Sequence, residues 1–237
     1  MTLVLNVPRY RQPPMMCGAT ALAEVMEYFD KKRYNIREIA KETEKTYKNI
    51  DWLFAAGISA IKRGFKSKIT TVSIEIFDPS WATLNKNKLI RKMEKRLEYL
   101  MSLNTKDSYI VEWNISPLKW AIEYLRKGGE LFYHPITTKL IKNFLNKKIP
   151  LITPMNENLF YGIKRTTEND EYDDIKGMGT GHIIVISGFK KNKFIITDSE
   201  ILAERFKGVK GRVEKEFEIL LNCMSAAGPP SLLIVYK

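Results

Sequence analysis

The sequence predicts an α+β fold, with helices gathered in the N-terminal half and an antiparallel sheet in the C-terminal half. Apolar residues recur at helical spacing in three successive segments after residue 12. The stretch GHIIVISGFKKNKFIITDSE then reads as a hairpin of two apolar strands around a polar turn. No internal repeat, low-complexity tract or linker interrupts the chain, so a single domain over 1–237 is expected.

Taken in order, Leu3 to Val7 is a short apolar run ending at Pro8, an expected edge strand. Pro13 and Pro14 forbid helix just before Cys17, so the first helix starts no earlier than about Met15. Ala21, Leu22, Val25, Met26 and Phe29 give that helix one apolar stripe. Asn35 can cap a second helix with Ile36, Ile39 and Ala40 inward, and Ile50 to Arg63 forms a third that Gly64 stops. Lys68 to Phe77 changes period: Val72, Ile74 and Ile76 alternate with polar residues and predict a half-buried strand. Lys86 to Leu103 is an amphipathic helix expected to pack on the domain, and Ser116-Pro117 opens another that Gly128-Gly129 ends. Glu130 to His134 reads as a short strand and Thr138 to Lys147 as a helix. IPLITPMN follows as a strand between Pro150 and Pro154. Asn156 to Gly181 has no clear periodicity and carries the acidic ENDEYDD beside the glycine-rich GMGTG, which predicts either a mobile flap beside the site or a plain solvated loop. After the His182–Phe189 and Phe194–Asp198 hairpin, Val213 to Met224 reads as helix and Ser231 to Tyr236 as a closing strand.

Composition bounds the function. Hydrophobic residues at 44% and charged residues at 28% describe an ordinary globular chain, and no stretch is long and apolar enough to span a bilayer. The N-terminal sequence has no basic region before its apolar run, so no signal peptide is expected. Cys17 and Cys223 do not make a disulfide framework, which predicts a reducing, cytoplasmic setting. The net charge of +12 allows a nucleic-acid-binding reading, but the lysines are scattered among glutamates, the pattern of a solvated face. The acidic cluster matches no metal loop, and neither a metal nor a cofactor is called for.

Four residues carry chemistry. Cys17 falls at a helix start, where unpaired N–H groups and the helix dipole favour an anion and hence the nucleophilic thiolate. Gly18 leaves room for a substrate backbone. Gln12 can point an amide N–H at the same place and, with the Cys17 N–H, form an oxyanion hole. Of the two histidines, His134 beside Pro135 reads as structural, whereas His182 opens an apolar strand at the mouth of the sheet. Asp198 ends the paired strand and completes a nucleophile–base–carboxylate order. A regular ladder around a Lys190–Lys193 turn would put Asp198 opposite Val185, facing away from His182. A bulge at Gly188 is therefore expected, restoring both face and proximity.

Gln12…Cys17-Gly18-Ala19, then Gly181-His182 opening a strand that ends Ser187-Gly188-Phe189, then Asp198, resembles the papain-like cysteine peptidases. The closest likeness is to the leader-peptide-cleaving domains of bacteriocin exporters and their stand-alone relatives. The resemblance implies the papain-like fold, peptide or amide hydrolysis through a thioester, and a peptide or protein substrate. It assigns nucleophile, base, orienting carboxylate and oxyanion donor to Cys17, His182, Asp198 and Gln12, with Gly18 and Gly181 at the substrate. The sequence departs from that family at Ser199, where proline is common, at Met15-Met16, and in Lys66 to Asn114, a candidate insertion. Acyl transfer by the same residues and a non-catalytic peptide-binding relative stay open as alternatives, as does oligomeric state.

Overall fold

A computed structural model describes residues 2–44, 49–169, 171–200 and 212–237. Its centre is a single eight-stranded sheet in the order β3-β2-β8-β4-β5-β6-β7, with β1 pairing β5 from outside that path. The strands are β1 Thr2–Val4, β2 Lys66–Thr71, β3 Glu130–Tyr133, β4 Leu151–Asn156, β5 Gly181–Lys190, β6 Lys193–Thr197, β7 Arg212–Glu216 and β8 Ser231–Tyr236. All pairings are antiparallel except β2 with β3.

The helical first half forms as the periodicity demands. α1 (Cys17–Asp30) is buried from Gly18 to Met26 and packs on β5. α2 (Ile36–Thr43) is capped by the Asn35 side chain, which accepts from the N–H groups of Arg37 and Glu38. α3 (Asn49–Lys62) packs against both, and Gly64 leaves its end with φ 81°, as a left-handed stop requires. α4 (Lys86–Ser102) lays Leu89, Met93 and Leu100 inward. A short turn, α5 (Ser108–Ile110), continues through a widened π-type turn into α6 (Ser116–Arg126), which packs on α3 and α4. α7 (Thr138–Asn146) covers β4 and β5.

Three expectations are corrected. The strand expected over Lys68–Phe77 lies earlier, as β2, and the alternating residues 72–76 form a turn that leaves Ile74 66% exposed. The polar residues of β2 conceal it in sequence because each has a specific partner. Ser67 Oγ meets Tyr124 Oη at 3.0 Å, and Ser231 Oγ donates to Thr71 Oγ1 at 2.8 Å. β2 sits inside the sheet between β3 and β8. The expected helix Val213–Met224 begins as β7, because those residues pair with β6, and becomes helix only as α9 (Phe217–Ser225). The long 156–181 connection opens with a helical turn, α8 (Glu157–Tyr161), started by the Asn156 side chain and ended at Gly162 with φ 67°.

β5 organises the site end of the sheet. β4 pairs along Gly181–Ile186 and β1 along Gly188–Lys190, while β6 lies on the opposite edge. The β5–β6 ladder slips one residue between Ile186 and Gly188, so the expected bulge is present. It is held by polar side chains: Thr197 Oγ1 donates to Ser187 Oγ at 2.8 Å, and both residues are buried. Gly188 also lets β1 approach, because a β-carbon there would stand 2.3 Å from the Leu3 carbonyl oxygen.

Candidate active site

The bulge decides the geometry. Below it Val185 pairs with Thr197, so the next β6 position, Asp198, follows on the face that His182 shares. The result is a 2.8 Å contact between His182 Nε2 and Asp198 Oδ1 in a fully buried setting. That contact leaves Nδ1 free of Asp198, and the Cys17 side chain is near enough to the imidazole to favour its charged form. Cys17 itself is the first residue of α1 and is half-buried, and the N-cap residue, Met16, offers no side-chain cap to the N–H groups of that helix end.

Burial opposes charge on both members of the His182–Asp198 pair, and each pulls the other back toward its charged form. For His182 the Asp198 carboxylate, and after it Cys17, outweigh desolvation and hold the pKa well above the ordinary imidazole value. For Asp198 burial is overcome by His182 and by further donors, and its pKa is lowered. Oδ1 also accepts from the Glu200 N–H at 2.9 Å, and Oδ2 accepts from the Tyr161 hydroxyl at 2.5 Å. The sign of each shift sets the pH window of the pair. His182's contribution to stability is present below the unfolded imidazole pKa and is lost as pH rises through the raised value. Asp198's is present above the unfolded carboxyl pKa and is lost as pH falls through the lowered value.

Gln12 reaches this cluster through the residues after Asp198. Its backbone N–H donates to the Ser199 carbonyl at 3.1 Å, and its Oε1 accepts from the Ser199 hydroxyl at 2.8 Å. Its Nε2 donates to Glu200 Oε2 at 2.5 Å, which occupies one of the two amide hydrogens and leaves the other. Arg9 ties the same corner together, donating from Nε to the Asp198 carbonyl at 2.7 Å and from its terminal nitrogen to the Glu200 carbonyl at 3.3 Å.

The two glycines take different places. Gly18 borders the cleft beside Cys17, but the space its missing side chain leaves is filled by the Trp52 indole, 2.4 Å from where a β-carbon would be. Gly181 is exposed at the start of β5, opposite Asn156. His134, as expected, stands apart, with its Nδ1 2.8 Å from the Pro135 carbonyl at the surface. Cys223 is wholly buried on α9, and burial pushes its thiol pKa up. Among the described residues no group of three histidine, cysteine or acidic side chains could hold a metal ion.

A model of the Peptidase C39-like family matches residues 4–218, nearly the whole chain and every residue of this cluster. The chain belongs to that family. Among solved structures, this C39-like chain is similar to one named for a C39-like peptidase from Bacillus anthracis. The two share 14% identity over 100% of this chain and 98% of the other, with a TM-score of 0.45. No curated protein matches it. No helix among the described residues is long and apolar enough to cross a membrane.

Several residues of the cluster gave no signal in the sequence. Tyr161 lies in a connection without periodicity, and Arg9 and Glu200 are charged residues at loop positions. Glu157 is buried at the start of α8 among Asp198, Glu200 and His182; burial first, and then the two carboxylates, raise its pKa against the pull of His182. Glu24, two helical turns after Cys17, is buried with Oε1 accepting from the Tyr10 N–H at 2.8 Å and Oε2 unpartnered. Burial, with Asp198 adding to it, raises the Glu24 pKa well above the carboxyl range. Its bond to the Tyr10 N–H fastens the Arg9–Tyr10 loop to α1.

Proposed function

We propose that this C39-like chain is a cysteine peptidase that cleaves a peptide or amide bond through a thioester. In this reading the Cys17 sulfur attacks the carbonyl carbon, and His182 Nδ1 passes its proton to the leaving amine. Water then enters, His182 takes its proton, and the thioester opens to release the acid and restore the thiol. Asp198 fixes the imidazole orientation and supports its positive charge, and Tyr161 with the Glu200 N–H fixes Asp198 in turn. The oxyanion that forms at the carbonyl is met by the Cys17 N–H at the uncapped helix start and by the remaining amide hydrogen of Gln12.

The observation that carries the reading is the row Cys17–His182–Asp198, which exists only because the β5 bulge turns Asp198 toward the histidine. A purely structural role does not account for a hydrogen-bonded imidazole–carboxylate pair at full burial beside a half-buried cysteine that opens on a cleft. Two free cysteines support a reducing compartment, with the cytoplasm as the proposed setting.

The test is digestion of a diverse synthetic peptide mixture, read by mass spectrometry. Cleavage that disappears in both Cys17→Ala and His182→Ala supports the assignment. Cleavage that survives either substitution overturns it.

A further inference from the structure

Beside Cys17 the structure opens a cleft of about 630 Å³ whose walls differ in chemistry. Near the thiol the lining is apolar, with Trp52, Met16 and Ile183, and Met15 projects at the mouth with 95% of its surface exposed. The far wall is one face of α2: Arg37, Ala40, Lys41 and Glu44 recur at the spacing that brings side chains into one row.

The charges of α2 are sorted between its two sides. Glu38 and Glu42 turn to the end of α3, where Arg63, in the turn that follows, binds both at 3.0 and 2.8 Å. That leaves Arg37 and Lys41 facing the cleft, with no ion pair among the described residues and with Glu44 as the single acidic group in the lining. An unpaired guanidinium and ammonium one helical turn apart, at the edge of an apolar floor, fit a carboxylate carried a short distance from an apolar side chain.

We propose that this cleft is a substrate subsite for an acidic peptide segment. An apolar side chain next to the scissile bond lies over Trp52 and Ile183, and an Asp or Glu a residue or two farther along meets Arg37 and Lys41. The inference rests on the peptidase reading for the position of the scissile bond. The cleft's own selectivity is measurable without turnover.

The experiment labels Cys17 of the full chain with peptide electrophiles in two series. One carries an N-terminal bromoacetyl group and the other a C-terminal chloromethyl ketone, so either side of the scissile bond is probed. Within each series only one residue, two positions from the reactive carbon, changes among Glu, Gln and Lys. Every rate is divided by the same variant's iodoacetamide rate, which separates thiol chemistry from peptide recognition.

At low salt, one series is expected to label with Glu about 10-fold faster than with Lys, the gap closing as salt screens the charges. Arg37→Glu combined with Lys41→Glu reverses the order. Lys92→Glu with Lys95→Glu on α4 makes the same change in net charge and leaves the order intact. A preference absent from both series overturns the subsite, as does one lost equally in the α4 variant. If Cys17 proves no more reactive to iodoacetamide than an ordinary thiol, the peptidase reading fails instead, and the Glu-to-Lys ratio still judges the cleft.

Discussion

The two sides of Cys17 are built on opposite principles. On the sheet side, His182 and Asp198 are buried and paired, and the Asp198 carboxylate is hydrogen-bonded by His182, Tyr161 and the Glu200 N–H. On the α2 side, Arg37 and Lys41 are exposed and unpaired among the described residues, along an open cleft. Groups that must keep one geometry and one charge are over-determined by burial and hydrogen bonds. Groups that meet a partner from solvent stay outside the core and contribute little to folding. In the proposed reading, chemistry and recognition are thus placed where each can vary without disturbing the other.

The sharpest way to break the sheet side is Asp198→Asn. It keeps the shape but removes the charge that holds the imidazolium, and peptide cleavage is expected to fall roughly 10²–10³-fold with little change in KM. A drop confined to KM would place Asp198 in substrate binding instead. Gly188→Ala comes next. Its β-carbon collides with the Leu3 carbonyl, so β1 or the bulge must shift, at a cost of about 2–3 kcal/mol in chemical denaturation. An unchanged midpoint would mean that the bulge is not held where β1 crosses it.

A smaller effect is expected at Ser199, a positioning residue. Ser199→Ala frees Oε1 of Gln12, and an amide no longer fixed in orientation lowers kcat about 10-fold while KM holds. Ser199→Thr, which keeps the hydroxyl, restores most of the loss. If threonine fails to rescue, the contact is packing rather than orientation.

The smallest effect concerns Glu24. Its folded pKa is raised, so the unfolded chain ionises first and the fold weakens as pH climbs above about 4.5. Glu24→Gln removes that penalty. Its stability relative to the parent is expected to improve steadily as pH rises above about 4.5. A difference that stays flat with pH would mean that Glu24 is ionised in the fold.

The contrast also explains what the sequence disclosed. Cys17, His182 and Asp198 are legible as a candidate cluster because residue type, order and local pattern coincide, and the register conflict at Asp198 by itself points to the bulge. Tyr161 was hidden because its role depends on where α8 leaves β4, a long-range fact with no local signature. β2 was displaced in the reading because its polar side chains are satisfied by partners as distant as Ser231, while the alternation at 72–76 comes from a turn in which Ser73 bonds to Thr71 and Glu75. The α2 face was missed for a third reason: two cations on an exposed helix look like any solvated face until Arg63 is seen to take the neighbouring carboxylates.

The measurement that tests the central claim most directly is the rate of Cys17 alkylation by iodoacetamide from pH 4 to pH 9, in the parent and in His182→Ala. A cysteine paired with the buried imidazole is expected to react at pH 5, where an ordinary thiol is nearly inert, and to lose that reactivity in the variant. A rate that follows an ordinary thiol titration, unchanged by removing His182, would contradict the account.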